Sequence, residues 1–169
     1  MDLAMNRSGG ANVAPDTPGR ILRWTQLGLH AAEQWFAPAV DFGIRLLVAS
    51  VFFKSGLTKI ASWSTTLALF QNEYSVPLLP PQLAAYLGTG VELGLPVLLV
   101  LGLGTRLAAV VLFVFNIIAV ISYPDLSEVG LKDHQYWGLL LLITLFHGPG
   151  KLSLDHFLRR RFISSEAKP

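Results

Sequence analysis

From Leu107 to Ile121 the chain carries one polar side chain, Asn116, and no charge. A soluble helix of that length needs a polar stripe for water, and this segment has none to offer. Lipid is the surrounding that fits it. The segment belongs to an apolar run of about 106–123, and three similar runs share the chain, about 39–61, 83–103 and 135–147. The last is shorter than the ~20 residues of a usual span. A soluble four-helix core is the alternative, but it would again require polar faces that these runs lack. The expectation is an all-α chain, a four-helix transmembrane bundle over 38–158.

Composition agrees. Hydrophobic residues make up 52 % and charged residues 14 %, where soluble domains carry about 25 % charge. A net charge of +2 is too small to argue for nucleic acid. Without cysteine there is no disulfide framework, CxxC redox pair or thiolate metal site. Residues 1–20 are polar, with Gly and Pro, and hold no apolar core of a signal peptide; they read as a disordered tail.

Charge distribution sets an orientation. Arg7, Arg20 and Arg23 precede the first run, Arg106 lies in the second connection, and Lys151, Arg159, Arg160, Arg161 and Lys168 follow the fourth. Glu73, Asp125, Glu128 and Asp133 occupy the other connections. Basic loops stay in the cytoplasm, so both termini, including a basic tail at 159–169, are expected there. Residues 21–37 form a separate element. Ile21, Trp24, Ala31, Ala32 and Trp35 share one helical face, and Arg23, Gln26, His30, Glu33 and Gln34 the other. This is the pattern of an amphipathic helix lying on the bilayer surface, with partner docking as the sharper option. Pro38 separates it from the first span. The connection at 62–82 is apolar at Leu67, Leu69, Phe70 and Tyr74 and then rich in proline. It reads as a short helix across the outer mouth of the bundle.

The first span carries Arg45, Lys54 and Lys59. On a helix Arg45, Phe52, Gly56 and Lys59 fall on one stripe, and Lys54 on the opposite side. Fourteen residues separate Arg45 from Lys59, about 21 Å at 1.5 Å per residue, so each sits toward its own end and snorkelling to the interface is the plain reading of either. The second span holds Glu92 near its middle. An isolated ion there costs about 2.5–3.5 kcal/mol, which favours either a retained proton or a cation partner from the first span. Lys59, Lys54 and Arg45 are all candidates. Asn116 and Thr144 lie at comparable depth. Together these groups make either a mid-membrane acid–base site for a small polar or quinone-like ligand, or a polar clasp that fixes helix pairing. Gly88, Gly90 and Gly94 are expected to bring helices close.

The chain resembles the DoxX family of small four-helix membrane proteins over about 42–158. The resemblance rests on "RLLVASVFFKSGLTKI", on the acid-bearing "ELGLPVLLVLGLGTRLAA" and on the ending "GPGKLSLD" at 148–155. The matching positions are Arg45, Gly56, Lys59, Glu92, Gly148, Gly150, Ser153 and Asp155. The resemblance implies a multi-pass protein of the bacterial inner membrane in a redox setting, linked to quinone-reducing sulfur oxidation or to oxidative-stress complexes. It therefore implies a protein partner, admits a homo-oligomer, and gives no role to nucleic acid.

"GPGK" lacks the spacing of a phosphate loop. Gly148 and Pro149 should end the fourth helix, and Ser153 should cap a short helix at 154–162. His134 and His147 lie about 20 Å apart along one helix, too far to share a metal, and no facing pair of haem ligands is visible. The chain itself is expected to hold no metal or flavin, so any electrons come from a partner. In the leading reading Glu92 moves a proton and Lys59 or Arg45 holds the oxygen of a quinone. Phe52, Gly56, Asn116, His134 and Trp137 shape the pocket. A non-catalytic scaffold and a proton-coupled carrier are the alternatives.

Overall fold

The computed structural model describes residues 23–29, 34 and 36–166, with side chains as far as Arg161. It divides into two compact units, one ending at Phe36 and the other beginning at Ala37. In the first, residues 23–29 are helical and exposed, Trp24, Leu27 and Leu29 among them. The tail at 1–20 and Ile21, His30, Ala31, Ala32, Glu33 and Trp35 of the expected amphipathic faces lie outside the described residues.

The second unit is built from helices α1 (Ala37–Ala61), α2 (Trp63–Asn72), α3 (Pro81–Leu101), α4 (Thr105–Ser122), α5 (Glu128–His147) and α6 (Leu154–Glu166). Proline starts two of them. Pro38 lies in the first turn of α1 and Pro81 at the first position of α3, where the missing N–H forfeits no intrahelical bond. The helix α5 begins at Glu128, earlier than the apolar run at 135, because Ser127 caps it by accepting from Gly130 N at 3.1 Å. Its polar first turns supply the length that the apolar run lacked. The helix α6 extends beyond 162 to Glu166.

The four long helices close a ring in which α1 packs on α3, α3 on α4, α4 on α5 and α5 on α1. Val48, Ala49, Leu99, Leu112 and Leu141 fill its centre. The outside is apolar as well: Leu46, Leu57, Leu87, Val97, Leu107, Val114, Ile121 and Phe146 are all well exposed. Two helices, α3 and α4, are long and apolar enough to cross a membrane, with mean hydropathy of 1.7 and 2.2. Only 39 % and 33 % of their apolar windows are buried. The core helix of a soluble protein would be mostly buried; these turn their apolar surface outward, as lipid requires.

One end of the ring, the basic end, gathers Arg106, Lys151 and Arg159, and the other, the acidic end, gathers Glu73, Asp125 and Glu128. The helix α2 packs at the acidic end, its Phe70 clustered with Ala84 and Ala85 of α3. Thr66 Oγ1 ties it to α1 by donating to Lys59 O at 2.9 Å. Beyond it, Ser75 N donates to Ser122 O at 2.8 Å and fastens the connection to the end of α4.

Close approach between helices is concentrated at Gly56. A Cβ there would meet Leu93 Cδ2 at 2.8 Å and Glu92 Cβ at 3.1 Å. The expected role of the α3 glycines is corrected: nothing lies within 4 Å of a Cβ built on Gly90 or Gly94, and Gly88 makes only ordinary contact with Phe115 and Phe70 at 3.7 Å. Gly90 and Gly94 face away from the neighbouring helices, so their missing side chains bring nothing closer.

Candidate functional site

Glu92 sits in the middle of α3, with 7 % of its side chain exposed. Its partner is Lys59. Lys59 Nζ lies 2.7 Å from Oε2 and 2.9 Å from Oε1, and donates as well to Ser55 Oγ at 2.9 Å. Ser55 Oγ in turn donates to Oε1 at 3.1 Å. Ser55 and Lys59 are four residues apart and share a face of α1, so a single helix presents both to the acid. Gly56 lets that face come close enough. Oε2 accepts from Lys59 alone among the described residues, which leaves it free to accept once more.

The triad lies at the edge of a cavity of about 260 Å³ that runs toward the acidic end. Phe70, Tyr74, Phe115 and Tyr123 form aromatic walls, and His134 and Ser122 add polar groups. The aromatics brace one another edge to face, Phe70–Tyr74 at 5.0 Å and Tyr74–Tyr123 at 5.3 Å between centroids. Burial raises the pKa of the Tyr74 hydroxyl above the usual phenol value, reinforced by Tyr123, Glu73 and Glu92, so the hydroxyl stays protonated as a donor. Ser122 Oγ is buried without a hydrogen-bond partner among the described residues.

His134 is held by Asn116 at two points. Asn116 Nδ2 donates to His134 O at 2.9 Å, and Asn116 Oδ1 lies 2.7 Å from His134 Nδ1. Because that oxygen can only accept, Nδ1 carries the proton, which leaves Nε2 as the acceptor when the ring is neutral. Trp137 meets the ring edge to face at 4.8 Å between centroids, and Phe52 meets Trp137 and Phe115 in the same way at 6.2 and 6.3 Å. Of the residues expected to shape a pocket, His134 lines the cavity; Asn116, Trp137, Phe52 and Gly56 stand behind it as supports. His147 is at the opposite end of α5, where its Nδ1 lies 3.0 Å from Asp41 Oδ1.

Arg45 is not brought to Glu92. It is 1 % exposed near the basic end, where Nη1 donates to Leu99 O at 3.2 Å and Nη2 to Leu152 O. The Phe42 ring lies 5.5 Å from the guanidinium. There Arg45 satisfies the Leu99 carbonyl at the C-terminus of α3, where a cation also meets the negative end of the helix dipole, and ties it to the Leu152 carbonyl in the bend before α6. The same corner is closed by Asp155, which accepts from Gly104 N at 3.1 Å and Thr105 N at 3.2 Å and so caps α4, a role that its place in the sequence did not disclose. Ser153 caps α6 as expected, accepting from His156 N at 3.1 Å.

Residues 40–124 match the DoxX family. This chain is a DoxX-family membrane protein. A relative from Haemophilus influenzae, described as an uncharacterized protein, is 32 % identical over 126 residues, covering 69 % of this chain and 82 % of the relative. No solved structure matches. The DoxX match takes in Arg45, Gly56, Lys59 and Glu92 and ends before the "GPGKLSLD" segment. Ser55, Tyr74 and Ser122 were not anticipated as site residues. Ser55 stands four residues from Lys59, and that spacing was the signal for it.

Proposed function

We propose that this DoxX protein is a membrane subunit of a quinone-linked or oxidative-stress redox system, with the cavity receiving a quinone-like headgroup from the acidic end. The single observation behind this reading is the cavity itself: an ion pair at mid-bundle closes one end of an aromatic-walled space. At about 260 Å³ it is slightly below the ~300–1,000 Å³ of drug-sized sites, which suits one ring with small substituents. Glu92 Oε2 accepts from a ligand hydroxyl and holds or takes its proton. Lys59 keeps the carboxylate charged, its three N–H donors being taken by Glu92 and Ser55. The Tyr74 hydroxyl donates, and His134 Nε2 accepts. Electrons pass to or from a partner protein.

In this reading all four long helices span the bacterial inner membrane and both termini are cytoplasmic. At 25 and 20 residues, α1 and α5 reach about 37 and 30 Å, and the buried partners of Arg45 and Lys59 lower the cost of carrying them through lipid. A carrier is disfavoured by the basic half of the ring, where Val48, Leu99, Leu112 and Leu141 are packed without exposure.

The test is bound quinone. Protein purified in native lipid is extracted with solvent and its quinone quantified by mass spectrometry, wild type beside Glu92→Gln. Quinone stoichiometric with the chain, and lost in the variant, supports the site. Quinone no richer than in bulk lipid in both samples rejects it and leaves the Lys59–Glu92 pair as a helix clasp.

A further inference from the structure

Of the three cations in α1, Lys54 is the one left outside the bundle. Arg45 is buried and Lys59 bonds Glu92, while Lys54 is exposed and its side chain has no partner among the described residues. Along the helix it lies about 13 Å from Arg45 and about 8 Å from Lys59. The Cα–Cβ bonds of a helix tilt toward its N-terminus, so Lys54 leans toward the basic end, away from the surface nearer to it. Gly43, Leu47, Ser50, Leu57 and Thr58 fall on the same side. Leu47 and Leu57 are exposed at 45 % and 43 %, and nothing lies within 4 Å of a Cβ on Gly43. The two hydroxyls are spent on their own helix, Ser50 donating to Leu47 O at 2.7 Å and Thr58 to Lys54 O at 3.0 Å. The face is therefore smooth and narrow, with one unanswered charge, and small residues there permit another helix to approach closely.

We propose that this face of α1 docks a transmembrane helix of another protein that carries an aspartate or glutamate near mid-bilayer. The proposal rests on the reading of α1 as a span. Charge complementarity selects the occupant. A second copy packed symmetrically through this face would set Lys54 against Lys54. Nor does a second copy offer an acid at that depth, since Glu92 is 7 % exposed and already bound to Lys59. A carboxylate from a different chain removes the charge that lipid cannot solvate.

The experiment uses the full chain in lipid nanodiscs and synthetic leucine–alanine transmembrane peptides with a single central Asp, Asn or Leu. Binding is followed by energy transfer at mildly alkaline pH. The Asp peptide should bind about tenfold more tightly than the Leu peptide. Lys54→Met should abolish that preference, and Lys54→Glu should transfer it to a peptide with a central Lys. Equal binding of the Asp and Leu peptides by the wild type overturns the proposal, as does an Asp preference that survives Lys54→Met. Self-association that depends on Lys54 in the absence of peptide overturns the choice of occupant. Because the chain has no native cysteine, a nitroxide placed through Lys54→Cys reports its own depth. A label in contact with water overturns the span reading together with the docking. A label in the hydrocarbon without an Asp preference overturns the docking alone.

Discussion

Around Glu92 a single ammonium and a single hydroxyl make all the polar side-chain contacts among the described residues, and both come from one face of α1. Removing one half of a buried ion pair leaves the other uncompensated, at about 3–5 kcal/mol. Lys59→Met should lower stability by about that much in a detergent unfolding titration. Adding Glu92→Gln to it should restore part of the loss, because the stranded carboxylate is then gone. Tyr74 supplies a second expectation. Its hydroxyl loses its proton above the ordinary phenol range because burial raises its pKa. In a spectrophotometric titration at rising pH, the absorbance that Tyr74→Phe removes should therefore belong to the late-ionising tyrosines. The sequence placed an acid at mid-span and offered three cations, yet could not choose among them. A helical angle puts Arg45 and Lys59 on one stripe, whereas the pairing depends on the register of α1 against α3. That register is set where Leu93 and Glu92 press on Gly56, a contact invisible in either segment alone.

Helix ends were legible where local chemistry decides them and obscure where a distant segment does. Pro81, Gly148 and Ser153 announce their boundaries in the sequence. The start of α5 did not show, because its first turns are polar and carry no apolar period. The cap of α4 did not show either, because its carboxylate arrives from Asp155. At the end of α3, Gly102 has φ +71° and Leu103 N donates to Leu98 O at 3.0 Å, the closure of a Schellman motif. A Cβ on Gly102 would lie 2.4 Å from Ser153 Cβ. Gly102→Ala should cost more than the ~1–2 kcal/mol of a left-handed residue alone, measured as unfolding free energy, because the α6 segment must also move. Asp155→Ala should cost roughly 0.5–2 kcal/mol through the lost cap of α4 and leave any ligand bound at Glu92 unaffected.

For the whole molecule, the apolar runs of the sequence foretold a bundle because lipid leaves a chain few alternatives: every long segment must satisfy its own backbone. What they did not foretell was the unequal filling of its two halves. The packed half and the hollow half are both apolar in composition, and the approach of α2 and the connection after it over the acidic end adds Phe70 and Tyr74 to the walls that Phe115 and Tyr123 supply. Orientation belongs to this scale. In intact cells a membrane-impermeant maleimide should label Asp125→Cys directly and Lys151→Cys only after the membrane is opened; the reverse pattern would invert the proposed topology.

Arg45 also bears on the order in which the protein is made. Its Nη2 hydrogen bond reaches Leu152 O, 107 residues further along the chain. At about 5–20 residues per second the ribosome delivers that acceptor roughly 5–20 s after the arginine. Throughout that interval the nascent first helix holds a guanidinium whose final contact has not been synthesised. The bend before α6 thus supplies the last hydrogen bond of the first helix's arginine, and a ribosome halted before Leu152 carries a chain in which Arg45 has Leu99 O but not its second acceptor.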